Sequence, residues 1–240
     1  MRLTAILLSL GLALPAAPPA RAQEVDLELV LLADASGSID RDEILFQREG
    51  YASAITSDEV LKAIRMTAYG AIAVTYVEWA AAGEEHVVVP WMVIDGPDTA
   101  QDFAEALMIP PRMAYGRNAI GSALLTGLTL IRENGIEGWR QVIDFSGDSA
   151  NSWNGPPVEA ARQEVLAAGV TINALAILCR FCNGQPQSGD LAAAYRDRII
   201  GGPGAFVVAA ETEDTFAEAV RRKLVLEIGG IHGGPVLARD

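Results

Sequence analysis

Histidine and cysteine are scarce in this 240-residue sequence, with two of each. A closed zinc centre takes four ligands, usually Cys or His. Here His86 falls in an expected edge strand and His232 in a Gly-rich tail, so a zinc site is disfavoured. A Ser-His-Asp hydrolase is disfavoured too, because neither Ser36 nor Ser146 sits in Gly-x-Ser-x-Gly. No Walker loop is present, and no Gly-x-Gly-x-x-Gly follows a strand. The run Gly201-Gly202-Pro203-Gly204 precedes a strand and reads as a turn. Basic residues are also few. Eighteen Lys and Arg face 31 Asp and Glu, for a net charge of -13. Such a body repels phosphate backbones, which argues against nucleic acid as a partner. Repeats, low-complexity tracts and interdomain linkers are lacking, and past the first 22 residues no apolar run is long enough to cross a membrane.

Those first 22 residues, MRLTAILLSLGLALPAAPPARA, have the form of an export signal: a basic start at Arg2, an apolar run over 5–14 and a small-x-small junction at Ala20-Arg21-Ala22. The expected mature chain starts at Gln23 and is periplasmic or secreted, with no cysteine at the junction to carry a lipid. Its acidity then reads as a means of staying in solution. In an oxidising compartment Cys179 and Cys182 are expected to form a local disulfide. A redox pair would need its first Cys at a helix N-terminus, and here the loop-like NGQPQSG follows.

The remainder, residues 23–240, reads as one domain. At 50% hydrophobic and 20% charged, the composition is that of a folded globular chain. Strand and helix alternate along it. Residues 25–33 carry Leu27, Leu29 and Leu31 against Asp26 and Glu28. A helix should follow from Asp40, with Glu43 three residues on as in a capping box. Residues 71–79 and 86–94 read as a hairpin whose second strand, containing Pro90, lies at an edge. Residues 98–108 form a short helix, and Ile120, Leu124, Leu128 and Ile131 put one apolar stripe on another. A strand over 139–146 follows, then a helix opened by Pro156 and Pro157 and closed by Gly169, and strands over 170–178 and 205–210. Phe216, Val220, Leu224 and Ile228 mark a last helix, begun by Glu213 and Asp214 and stopped by Gly229 and Gly230. The expectation is an α/β fold: a doubly wound, mostly parallel sheet of about six strands with one antiparallel edge strand and helices on both faces.

In open sheets of this kind ligands sit at the carboxyl ends of the strands. Three polar segments fall there: ADASGSID over 33–40, YGRNAIGSALLTG over 115–127 and VIDFSGDSANSW over 142–153. Asp34, Ser36 and Ser38 offer oxygens at alternate positions around Gly37. Hard cations such as Mg2+ want oxygen ligands, although Ser, Asp and Gly also serve ordinary turns and caps.

In order and spacing these segments resemble the von Willebrand factor A-like family, whose metal-ion-dependent adhesion site has an Asp-x-Ser-x-Ser loop after its first strand. LVLLADASGSID matches that loop, GRNAIGSAL matches the second element in its glycines, Ala123 and Leu124, and VIDFSGDSAN resembles the third. The resemblance spans essentially the whole mature chain and looks most like an exported bacterial branch of unassigned function. It implies that Ser36 and Ser38 ligate a Mg2+, Mn2+ or Ca2+ ion directly, and that Asp34 and Asp148 hold it mainly through water. One position is left for the carboxylate of a protein or peptide partner. In one respect the chain departs from the pattern: the family's Thr position is Asn118 here. An amide oxygen binds hard cations, but Asn118 is equally suited to capping the next helix. This departure keeps a metal-free scaffold open as an alternative. A metal-assisted hydrolase, with Asp148 or Asp144 as base, is another. Asp144, inside a strand, reads better as a buried hydrogen-bonded carboxylate. Arg112 and Arg117 are either a small basic rim or ordinary surface arginines, and Trp153, close to the third segment, either lines a binding rim or, the preferred reading, is a packed loop aromatic.

Overall fold

A computed structural model describes residues 23–178 and 190–230. Residues 1–22, where an export leader is expected, the Cys179/Cys182 pair and His232 lie outside the described residues. The chain runs β1 (Gln23–Asp34), α1 (Arg41–Ile55), α2 (Asp58–Arg65), β2 (Ile72–Trp79), β3 (Glu85–Ile94), α3 (Pro97–Met108), α4 (Ile120–Glu133), β4 (Ile136–Gly147), α5 (Val158–Ala167), β5 (Thr171–Ile177), α6 (Leu191–Arg198), β6 (Val207–Ala210) and α7 (Glu213–Gly229). Six strands form one sheet in the order β3-β2-β1-β4-β5-β6, and only the β2–β3 pair is antiparallel. Helices cover both faces, as the alternation predicts.

The period-two pattern of β1 explains the two layers. Leu27, Leu29 and Leu31 pack on one face with Tyr51, Ile64, Phe103, Phe216 and Leu224. Val30 and Leu32 face the other way, against Ile120, Leu124, Leu128, Val165 and Tyr195. Complete burial of a Leu, Ile or Phe stabilises a fold by about 1.5–3 kcal/mol, so these two clusters dominate the energetics.

Local chemistry sets the ends of the elements. Asp40 caps α1 by accepting from the amides of Asp42 (2.8 Å) and Glu43 (2.9 Å), and the Asp40 amide donates to Glu43 Oε2 (2.7 Å). At the other end of the chain, α7 stops on Gly230 in the left-handed conformation, φ 59°. The edge strand β3 pairs with β2 through register shifts around Tyr76 and carries Pro90 exposed. Two helices lie beyond the sequence expectation. Ser57 begins α2 by accepting from the Val60 amide (3.4 Å), and Asp190 begins α6 by accepting from the Ala193 amide (2.8 Å). Each has only eight residues.

The first turn of α4 presses on the loop before α5. A Cβ on Gly121 would lie 2.1 Å from the Pro156 carbonyl oxygen, a backbone atom that cannot rotate away. Gly121→Ala is therefore expected to cost at least ~1–3 kcal/mol in urea unfolding, the usual cost of overpacking.

Candidate metal centre

β1 and β4 are parallel neighbours, with Leu32 opposite Phe145. The loops that leave them therefore start side by side, and the segment before α4 is bonded to both. The Gly37 amide donates to the Gly116 carbonyl (2.8 Å), and the Trp153 amide donates to the Asn118 carbonyl (2.8 Å). The Ile120 amide reaches Ser152 Oγ at 3.2 Å. Behind them, the Ala81 amide donates to Tyr115 and the Ala119 amide to Ala80. Gly116 is confined to glycine by its φ of 107° and by Ala81, whose Cβ would stand 2.8 Å from an added Cβ. The structure thus gathers 34–38, 115–119 and 147–153 at one edge.

The side chains there are crowded with oxygen and grade from buried Asp34 and Ser36, through half-buried Asp148, to exposed Ser38. Asp34 is 1% and Ser36 0% exposed. The Ser36 amide donates to Asp34 Oδ1 (2.8 Å), and the Ser36 and Ser38 hydroxyls stand 3.3 Å apart. Ser38 in turn hydrogen-bonds the Asp148 side chain. Asp34 Oδ2 has no hydrogen-bond partner. Gly147 leaves room beside it, since a Cβ at that position would come within 3.0 Å of this oxygen and of the Tyr195 hydroxyl. Burial first, and then the charge of Asp148, push the Asp34 carboxyl up to about 7, against the opposing pull of the Ser36 amide and hydroxyl and the Asp148 amide. Burial raises Asp148 as well.

A buried carboxylate and a half-buried one that repels it, beside two hydroxyls, make a cation the natural complement. Asn118, 7% exposed, adds an amide whose Nδ2 has no partner. Half a turn of the amide puts Oδ1 in that place, so the side chain can present an oxygen. Among the described residues no group of three or more His, Cys, Asp or Glu is gathered to hold a metal. A cation here would rely on hydroxyl and amide oxygens beside two carboxylates, a donor set that suits hard ions.

The other sequence candidates are placed differently. Asp144 is 1% exposed and ion-paired with Lys223 at 2.6 Å on the α7 face of the sheet. His86 lies 3.4 Å from Glu84 at the β3 edge. Trp153 is not packed away. It is 59% exposed, because only its backbone is tied down, and the Arg117 guanidinium lies 4.1 Å above its ring.

Arg112 is not a rim charge in the simple sense. It donates to the carbonyls of Ile39 (2.8 Å), Ala35 (2.6 Å), Ser36 (3.2 Å) and Ala114 (3.0 Å), and so staples the Asp34–Ser38 turn to the segment before α4. Arg112→Ala should leave these carbonyls to water and cost roughly 1–3 kcal/mol. Hydrogen exchange should speed at the Gly37 and Ile39 amides while β5 is unaffected. Two further supports escaped sequence reasoning: Gln47 Nε2 donates to the Asp34 carbonyl (3.1 Å) and the Tyr195 hydroxyl to the Ser149 carbonyl (3.1 Å). Neither has a local motif that would reveal it.

Comparison with known proteins agrees with this architecture. No curated protein matches the sequence. Among solved structures, proximal thread matrix protein 1 from the mussel byssus superimposes with a TM-score of 0.62 at 14% identity, covering 87% of this chain and 49% of the mussel protein. A structure of the same protein is described as having a zinc-occupied MIDAS motif, with a TM-score of 0.62 at 15% identity over 87% of this chain and 49% of that one. This chain thus spans about half the length of the mussel protein. The von Willebrand domain of the type V pilus tip protein Mfa5 from Porphyromonas gingivalis gives 0.53 at 12% identity, over 88% of this chain and 98% of that one. At such identities the likeness establishes the fold alone, a von Willebrand A-like one. A family model covers residues 24–232, and the chain belongs to that family, DUF1194, described as a protein of unknown function.

Proposed function

We propose that this protein is an exported binding module that holds a divalent cation of the Mg2+ type, or Mn2+ or Ca2+, at the edge formed by Asp34, Ser36, Ser38, Asn118 and Asp148, and uses it to capture a carboxylate of a protein or peptide partner. The observation that carries the reading is Asp34: a carboxylate 1% exposed, with one oxygen unpartnered, set beside a second carboxylate and two hydroxyls. Such an arrangement costs stability unless a proton or a cation neutralises it, and the unpartnered oxygen beside two hydroxyls favours the cation.

Ser36 and Ser38 would hold the ion directly, Asn118 would add an amide oxygen, and Asp34 and Asp148 would act mainly through water. When bound, the ion supplies a local positive charge that attracts an anionic group to an otherwise acidic protein. Arg112 keeps the turn in shape, and the Gly37–Gly116 bond fixes its distance from Asn118. The fold shared with a pilus tip domain and a byssus matrix protein supports binding rather than turnover. A hydrolase would need a general base; of its two candidates Asp144 is engaged with Lys223, and Asp148 is the one assigned to the ion in this reading. Residues 1–22 are proposed to be the export leader, and Cys179 and Cys182 a disulfide. Titration calorimetry of the mature chain with MgCl2 and MnCl2 tests the reading. Saturable uptake near one ion per chain is expected, and absence of heat with both ions overturns it.

A further inference from the structure

Arg117 stands directly before Asn118, a residue of the proposed metal centre, and is exposed. Its guanidinium lies 4.1 Å above the ring of Trp153, itself 59% exposed. The backbone beneath both is held in place. The Trp153 amide is bonded to the Asn118 carbonyl at 2.8 Å, and Gly116, one residue before Arg117, is bonded to the Gly37 amide. In a chain with 31 acidic residues, Arg117 has no carboxylate partner among the described residues. Its neighbour Arg112 differs, since four backbone carbonyls occupy its donors.

We infer that Arg117, stacked on Trp153, is a second anchor for an acidic peptide segment of the partner. It takes one carboxylate of that segment while a nearby carboxylate of the same segment goes to the metal centre. This rests on the metal reading above. A guanidinium has a planar fork that matches a carboxylate with two parallel hydrogen bonds. Stacking on an indole orients that fork before the partner arrives and lowers the entropy lost on binding. The exposed part of the Trp153 face gives the peptide backbone and aliphatic stems an apolar shelf. The Arg117–Trp153 pair thus makes a requirement for two acids out of a site that would otherwise ask for one.

The test uses the mature chain in MgCl2 and acetylated, amidated peptides of equal length. One carries a single aspartate, and the others carry a second aspartate one, two or three positions away. At least one two-aspartate peptide should bind wild type about fivefold tighter than the single-aspartate peptide, with the advantage shrinking as salt rises. Arg117→Ala and Trp153→Ala should each bring the ratio close to one. Arg117→Lys should retain only part, because an ammonium keeps charge without the fork. Uptake of Mg2+ is measured alongside by calorimetry. Absence of uptake by wild type would mean that the metal reading has failed, and the second anchor would fall with it. Intact uptake with no two-aspartate advantage, or with an advantage that survives both alanine variants, overturns the second anchor alone. Preferential binding of an oligogalacturonate of matched charge would assign the surface to an anionic glycan and likewise overturn it.

Discussion

Mg2+ or Mn2+ is expected to raise the thermal midpoint of the wild-type chain in a dose-dependent way, and Ser36→Ala with Ser38→Ala is expected to abolish the rise. A ligand that binds only the folded state stabilises it by RT ln(1 + [L]/Kd), or about 2.7 kcal/mol at a hundred times Kd. For a domain of this size that corresponds to about 5–10 °C. The double variant removes two oxygens from the cluster, and Ser36 is fully buried, so no other side chain can take its place. Asp34→Asn is the sharper companion. The wild-type carboxylate is buried next to Asp148, and both burial and that neighbour disfavour its charge. Without added metal the asparagine variant should therefore be at least as stable as wild type, while its response to metal is lost. The opposite result, a less stable variant that still responds to Mg2+, would show that Asp34 is a structural carboxylate. Differential scanning fluorimetry over a metal series decides between them.

The second large effect is expected far from that edge. Lys223 of α7 is 1% exposed and reaches Asp144 of β4 at 2.6 Å and Glu227 of its own helix at 2.5 Å. Glu227 also accepts from Asn173 Nδ2 at 3.0 Å, and its backbone carbonyl from Arg140. Lys223→Met keeps the stem and deletes the charge, leaving two carboxylates without their cation. Breaking a buried pair in this way costs about 3–5 kcal/mol. The penalty should depend on pH. Burial is the largest influence on both carboxyls and raises both, while Lys223 opposes it. Glu227 is pushed up from 4.5 to about 7, so the folded state keeps its proton longer than the unfolded chain does. The stability this group contributes is complete below about 4.5 and is lost as pH rises through about 7. Without Lys223 both carboxyls should rise further. Urea unfolding of Lys223→Met should show its full deficit at pH 8 and a much smaller one at pH 5. Glu227→Gln in the wild-type background should flatten the decline in stability between those values. A deficit equal at both pH values would mean that lost packing, not charge, is responsible.

What could be read in advance follows the range of the interaction concerned. Local rules placed α1, because Asp40 and Glu43 are three residues apart and cap each other. They placed the edge hairpin as well, because Pro90 cannot donate to a second neighbour. The three segments of the candidate centre were legible because their oxygen donors are clustered in sequence. Long-range partners leave no such trace. The four carbonyls held by Arg112 and the pairing of Lys223 with Asp144, 79 residues away, depend on how the layers come together. Helices α2 and α6 span only eight residues each, although Val60, Leu61 and Ile64 of α2, and Leu191 and Tyr195 of α6, do share a buried face. The exposure of Trp153 was misread because a large aromatic in a loop usually packs. Here the hydrogen bond that anchors it belongs to its amide and leaves the indole outside.

The two margins of the sheet bear on how copies of the molecule can meet. On one side β3 has a proline and an irregular register against β2, and on the other β6 has only four residues. Neither offers a long straight ladder of unused backbone groups, so lateral growth by adding strands from another molecule is discouraged at both flanks. Crowding at high local density should therefore not lead to sheet-to-sheet polymers.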